Sequence, residues 1–187
     1  MSSLLPPVGD LTPAQREVYD TLPIGLTRGL LMTRSSAIPY LSLGRSFHDG
    51  RLSAQLRELI ILRVATRTRS EYELFYHVPQ ARTCGLPDEV IDRVLAGSDT
   101  IGTADLDAVV ALVDQLVGNS HDIPQYVEIV ARHYSNNEIA EMTLLVGHYL
   151  MTSLFVKALG IQPEETAGES TEQFDQNLPQ QQRPDER

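Results

Sequence analysis

Leu56-Arg57-Glu58-Leu59-Ile60-Ile61-Leu62-Arg63-Val64-Ala65 becomes apolar on nearly every side once it is wound as a helix, and its reading decides the fold. A helix of that kind belongs at the centre of a core, not on a surface. Ser53 stands just before it as an N-cap, so the helix is predicted from Ala54 to about Thr68. Ser70 opens the next helix, which runs to Cys84 and is stopped by Gly85. Working outward, the same punctuation recurs. Thr12-Pro13 opens a helix over about 12–21. Pro23, Gly25 and Gly29 break up the stretch that follows, and Ser36 starts a helix through Leu41 and Phe47 that ends near Asp49-Gly50. Downstream, Leu86-Pro87-Asp88-Glu89 opens a short helix to Ala96, and helices are predicted from Ala104 to Val117 behind Thr103 and from Pro124 to about Tyr134. A last one runs from Glu138 to Leu159, with Asn136 or Asn137 as its cap and Gly160 as its stop.

No sustained period-two alternation and no Asn-Gly or Asp-Gly hairpin appears between apolar runs, so no strand is predicted. Short loops between helices favour antiparallel neighbours. The expected fold is therefore all-α, a single-domain bundle of six to eight helices centred on the 53–69 and 70–84 hairpin. Residues 1–10 read as a flexible arm, 11–160 as the helical domain, and 161–187 as a disordered acidic, Gln-rich tail.

The chain has 187 residues and a formal net charge of -10, a balance that argues against nucleic acid as a partner. Its single cysteine, Cys84, excludes a disulfide within the chain and any finger-type zinc site. No run reaches the roughly 18 apolar residues of a membrane helix, and no membrane partner is expected. The start lacks a basic segment followed by a long apolar one, so the expected location is cytoplasmic.

The polar residues that stand out lie on the central hairpin. Glu73 and His77 are four apart and share a helix face, and an antiparallel return brings Glu58 toward them. Two carboxylates and an imidazole at a helix seam form an acid–base unit. Burial raises a carboxylic acid's pKa and a nearby negative charge raises that of His, so each can be tuned toward neutrality. Arg57, Arg63 and Arg67 lie on the same helix as Glu58.

The run Leu-Arg-Glu-Leu-Ile-Ile-Leu-Arg-Val-Ala, followed by Glu71-Tyr72-Glu73-Leu74 and His77, then Ala81-Arg82 and Gly85-Leu86, resembles the carboxymuconolactone decarboxylase family. Leu144-Leu145-Val146-Gly147-His148-Tyr149 is similar to that family's last helix. The resemblance covers about 50 to 160. In the peroxidase branch of the superfamily, the alkylhydroperoxidase D type, this block carries Cys-x-x-Cys-x-x-x-His after an upstream Glu. Position by position, that Glu falls on Glu58, the His on His77, and the two cysteines on Ser70 and Glu73. Neither thiol is present, so neither peroxide attack nor a resolving disulfide follows.

The resemblance implies a cofactor-independent lyase or isomerase for a small carboxylated or lactone-like metabolite, with no metal. His77 would be the general acid/base, Glu58 and Glu73 would orient and tune it, and Arg57, Arg63, Ser70 and His148 would contact substrate. It also implies a homo-oligomer, trimer or hexamer. Two other readings stand beside it: a peroxidase-like antioxidant, disfavoured by the missing cysteines, and a non-catalytic helical oligomer. Each polar residue also has a structural reading. Ser70-x-x-Glu73 is a capping box, His77 and His148 suit a satisfied core, and Glu58 suits a salt bridge. Cys84 reads as a small hydrophobe, and His48, His121 and His133 as surface groups near helix ends.

Overall fold

The structure is a computed structural model, and it describes residues 4–164. After a short 3-10 turn, Val8–Asp10, come nine α-helices among the described residues, one more than expected: α1 Pro13–Thr21, α2 Gly25–Leu30, α3 Ala37–Ser46, α4 Ala54–Thr68, α5 Glu71–Thr83, α6 Asp88–Leu95, α7 Ala104–Gly118, α8 Ile123–Val130 and α9 Asn136–Leu159. No strand occurs among these residues. The all-α expectation holds.

α4 is the hub, packed against α5, α6, α7 and α9. Leu59, Ile60, Leu62, Val64 and Ala65 are wholly buried, as a helix apolar all round requires. Ser53 caps its start by accepting from the Leu56 amide. Its end is the tight step that aligns the hairpin: Arg69 adopts a left-handed backbone (φ 53°), and the Ser70 amide returns to the Ala65 carbonyl at 2.9 Å.

Three boundaries differ from the sequence reading. Pro23, Gly25 and Gly29 do not break the chain there; Gly25–Leu30 forms α2. Its glycines make room for Ile161, since a Cβ at Gly29 would lie 2.8 Å from the Ile161 Cδ1. The cap of α9 is Ser135, not Asn136 or Asn137, and it forms a reciprocal capping box with Glu138. The expected tail starts too early at 161: Ile161 is buried, and the Glu164 amide donates to the Tyr76 hydroxyl at 3.2 Å. The rest of that tail, 165–187, lies outside the described residues, as do residues 1–3 of the expected arm.

Two hydrophobic clusters result. The larger surrounds α4 and includes α6, α7 and α9. The smaller gathers Leu22, Ile24, Leu26, Leu30, Leu41, Tyr72, Tyr76 and Ile161. A cavity lies between them.

Candidate active site

Three helices bring the polar groups of this cavity together. α4 supplies Arg57 and Glu58, α5 supplies Glu73 and His77, and α9 supplies His148, Tyr149 and Thr152. The His77 Nδ1 lies 2.8 Å from a Glu58 carboxylate oxygen, and its Nε2 lies 3.4 Å from Glu73 Oε2. The other Glu58 oxygen meets the Arg57 Nε at 3.5 Å. The Tyr149 ring closes edge-on against the imidazole, with centroids 5.1 Å apart. The cavity beside this group has a volume of about 370 Å³. Leu22, Ile24, Leu26 and Leu41 form its apolar wall.

The electrostatics follow from burial and pairing. Burial alone would raise the Glu58 pKa, but the charges of His77 and Arg57 overcome it and hold that carboxyl below its usual range. Burial works against a charged His77; Glu58 prevails, and the imidazole is raised. Glu73 is pushed up to about 7 by burial, with His77 opposing and Glu58 reinforcing the shift. Its Oε1 is buried without a hydrogen-bond partner. At neutral pH the site thus holds an ionised Glu58, a His77 whose protonated form Glu58 favours, and a Glu73 near half protonation. His148 is different: burial, then the charge of His77, lowers it to about 4, so it is a neutral imidazole. It packs on Tyr40 with ring centroids 4.5 Å apart.

Glu73 makes stability depend on pH. In the folded chain its carboxyl keeps a proton that the unfolded chain releases above the ordinary 4.5. The stability tied to that proton is complete below about 4.5 and is lost as pH rises through about 7. Glu73→Gln cannot ionise. Its stability relative to the parent is expected to improve by about 1–3 kcal/mol between pH 5 and pH 8 in urea titrations. An unchanged difference at the two pH values would contradict the assignment.

The structure brings Glu58, Glu73, His77, Arg57 and His148 to one cavity. It does not bring Arg63 there. That guanidinium is fully buried between α4 and α7, bound to both Asp114 oxygens at 2.7 and 2.6 Å and to the Ser98 carbonyl at 2.9 Å. Each of its three nitrogens donates to one of these structural partners, away from the cavity. Ser70 is also outside the lining; its hydroxyl caps α5 by accepting from the Glu73 amide at 3.4 Å. Arg67 likewise turns to Asp114, at 3.3 Å. Lining residues to which the sequence reading gave no site role are Tyr40, Tyr149, Thr152 and Gln80, together with Cys84 and the exposed His48. Helical spacing gave no signal for Tyr149, because successive residues on a helix do not share a face.

Residues 41–115 match the model of the carboxymuconolactone decarboxylase family. That segment is similar to the family, and the chain as a whole has the AhpD-like all-α fold. Solved structures agree on the fold. A peroxidase-related protein from Ralstonia eutropha with an alkylhydroperoxidase AhpD core superposes with a TM-score of 0.72 at 15% identity, over 88% of this chain and 92% of that one. The debrominase Bmp8, solved in complex with 2,3,4-tribromopyrrole, gives 0.70 at 14% identity over 93% and 98%. A peroxidase-related protein from Silicibacter gives 0.71 at 13% identity over 87% and 91%. No curated protein sequence matches the chain significantly. The matched segment contains α4 and α5 whole, and so the entire Glu58–His77–Glu73 group.

Proposed function

We propose that the protein is a cofactor-independent lyase or isomerase acting on a small carboxylated or lactone-like metabolite. The observation that carries this reading is His77 held between two carboxylates on the wall of a cavity of about 370 Å³. That volume suits a small metabolite. Glu58 fixes the imidazole through Nδ1 and favours its protonated form. The longer contact from Nε2 to Glu73 is the one a substrate displaces most easily. Arg57, on the same wall, is placed to receive a substrate carboxylate.

In a decarboxylation, the bond from carbon to the carboxylate breaks and carbon dioxide leaves. The electron pair passes into the adjoining unsaturated system as a dienolate. His77 then gives its proton to carbon and is reloaded from Glu73 or water, so one proton is taken up per turnover. In an isomerisation the same groups remove and return a proton, with none consumed.

A peroxidase reading has support in the names of two structural neighbours. Its chemistry needs a thiolate, and Ser70 and Glu73 occupy the positions of the superfamily's cysteine pair. Cys84 lines the cavity, yet burial raises its pKa, which disfavours the thiolate. The deciding assay presents carboxymuconolactone in one reaction, and a hydroperoxide with a dithiol reductant in another. Carbon dioxide release or lactone isomerisation that falls away above about pH 7, as Glu73 loses its proton, supports the proposal. Robust hydroperoxide turnover with no lactone chemistry, or a flat profile between about pH 5 and 9, rejects it.

A further inference from the structure

The cavity changes character along its length, and α5 spans the change. Tyr72, Glu73, Tyr76, His77, Gln80 and Thr83 line it turn after turn. At the rise of a helix, Tyr72 and Thr83 stand about 16 Å apart along the axis. Tyr72 and Tyr76 are buried, Gln80 is half-buried and Thr83 is exposed. The exposed lining residues are His48, Pro79 and Thr83, and the two on α5 both come after His77. The cavity therefore opens at the end of α5 and closes at its start. α4 runs antiparallel to α5, so its first turn stands at the open end, where the Gln55 side-chain amide donates to the Gly85 carbonyl at 3.1 Å. Arg57 lies between that point and Glu58, on the open side of His77. Its Nε is buried without a hydrogen-bond partner.

The closed end is apolar. Leu22, Ile24, Leu26 and Leu41 gather there with Tyr72 and Tyr76 in one buried cluster. The tyrosine hydroxyls are already engaged. Tyr72 accepts from the Leu26 amide at 3.3 Å, and Tyr76 from the Glu164 amide at 3.2 Å. Tyr40 donates to Thr152, whose own proton goes to the His148 carbonyl at 2.8 Å. Among the described lining residues Arg57 is the single arginine, and no lysine occurs. A charged group pushed to the closed end would lose its water and meet no cation, with Glu73 beside its path. Hydrocarbon is favoured at the same place, because it gains by leaving water.

We infer that the substrate is charged at one end only, with its carboxylate on Arg57 near the opening and an uncharged hydrocarbon chain or ring filling the closed end between Leu26 and Tyr72. The inference rests on the proposed function for its carboxylate and narrows the substrate class. The reacting carbon then lies beside His77. About 7 Å of helix rise separates His77 from Tyr72, and the tail beyond that carbon occupies this span.

Isothermal titration calorimetry on the full chain tests it with butanoate, hexanoate, octanoate and the dicarboxylate suberate, at pH 6, where Glu73 keeps its proton. Each added methylene should tighten binding about fourfold, with one molecule bound per chain. Suberate matches octanoate in length but carries a second charge at its far end, and it should bind at least ~100-fold more weakly. Leu26→Phe should flatten the gain between hexanoate and octanoate; Leu41→Phe takes its place if that variant does not fold. Arg57→Gln should weaken all three monocarboxylates by a common factor of roughly 10–100. Affinity independent of chain length, suberate bound as tightly as octanoate, or a gain that survives the filled closed end would each overturn the inference. None of these titrations needs turnover. Octanoate binding of this kind in a chain without lyase or isomerase activity refutes the catalytic reading alone, whereas lactone turnover with a flat series refutes this one alone.

Discussion

His77→Ala is expected to lower kcat on carboxymuconolactone by about 10²–10⁴-fold, the usual contribution of a positioned proton donor, with KM changed only a few-fold. The imidazole contacts both carboxylates, at 2.8 and 3.4 Å, so its loss removes the bridge between Glu58 and Glu73. His77→Gln is the companion variant. Its amide retains a donor beside Glu58 but cannot deliver a proton at neutral pH. Steady-state kinetics on both variants, with a thermal melt to verify folding, separates chemistry from structure. If His77→Gln keeps parental kcat while remaining folded, the imidazole is not the proton donor.

Arg63→Ala is expected to destabilise the fold by about 3–5 kcal/mol, because it strips a buried, doubly bound guanidinium from Asp114. A domain has only about 5–15 kcal/mol in total, so the urea midpoint should drop sharply. Arg67→Ala provides the contrast. Arg67 reaches the same carboxylate at 3.3 Å, but 46% of its side chain is exposed, and about 1 kcal/mol or less is expected. Equal losses in the two variants would show that the Arg63 pair does not lock α4 to α7.

These two arginines also show where the sequence stopped being informative. α4 was legible almost to the residue, because Ser53 and an uninterrupted apolar run leave little freedom. The Glu58–His77 pairing was legible too, since a tight return at Arg69-Ser70 forces the two helices antiparallel. Helical spacing alone could not tell which way Arg57, Arg63 and Arg67 face. On a helix buried all round, every direction is inward, and only the partner decides; for Arg63 that partner is Asp114, 51 residues away. α2 was lost for a similar reason. Its glycines weaken a helix locally, and Ile161, 132 residues beyond Gly29, repays the cost by packing against them. Ser135 was a different kind of miss. Its Ser-x-x-Glu signature was present in the sequence, and the neighbouring asparagines drew the cap away from it.

The cavity's two sides come from different stretches of chain. Glu58, Glu73 and His77 fall inside the segment that matches the family model, whereas Leu22, Ile24, Leu26 and Tyr40 precede it. The polar group and the apolar wall can therefore be altered separately. On the proposed reading, replacing the 22–40 segment would change which molecules fit while leaving Glu58, Glu73 and His77 in place.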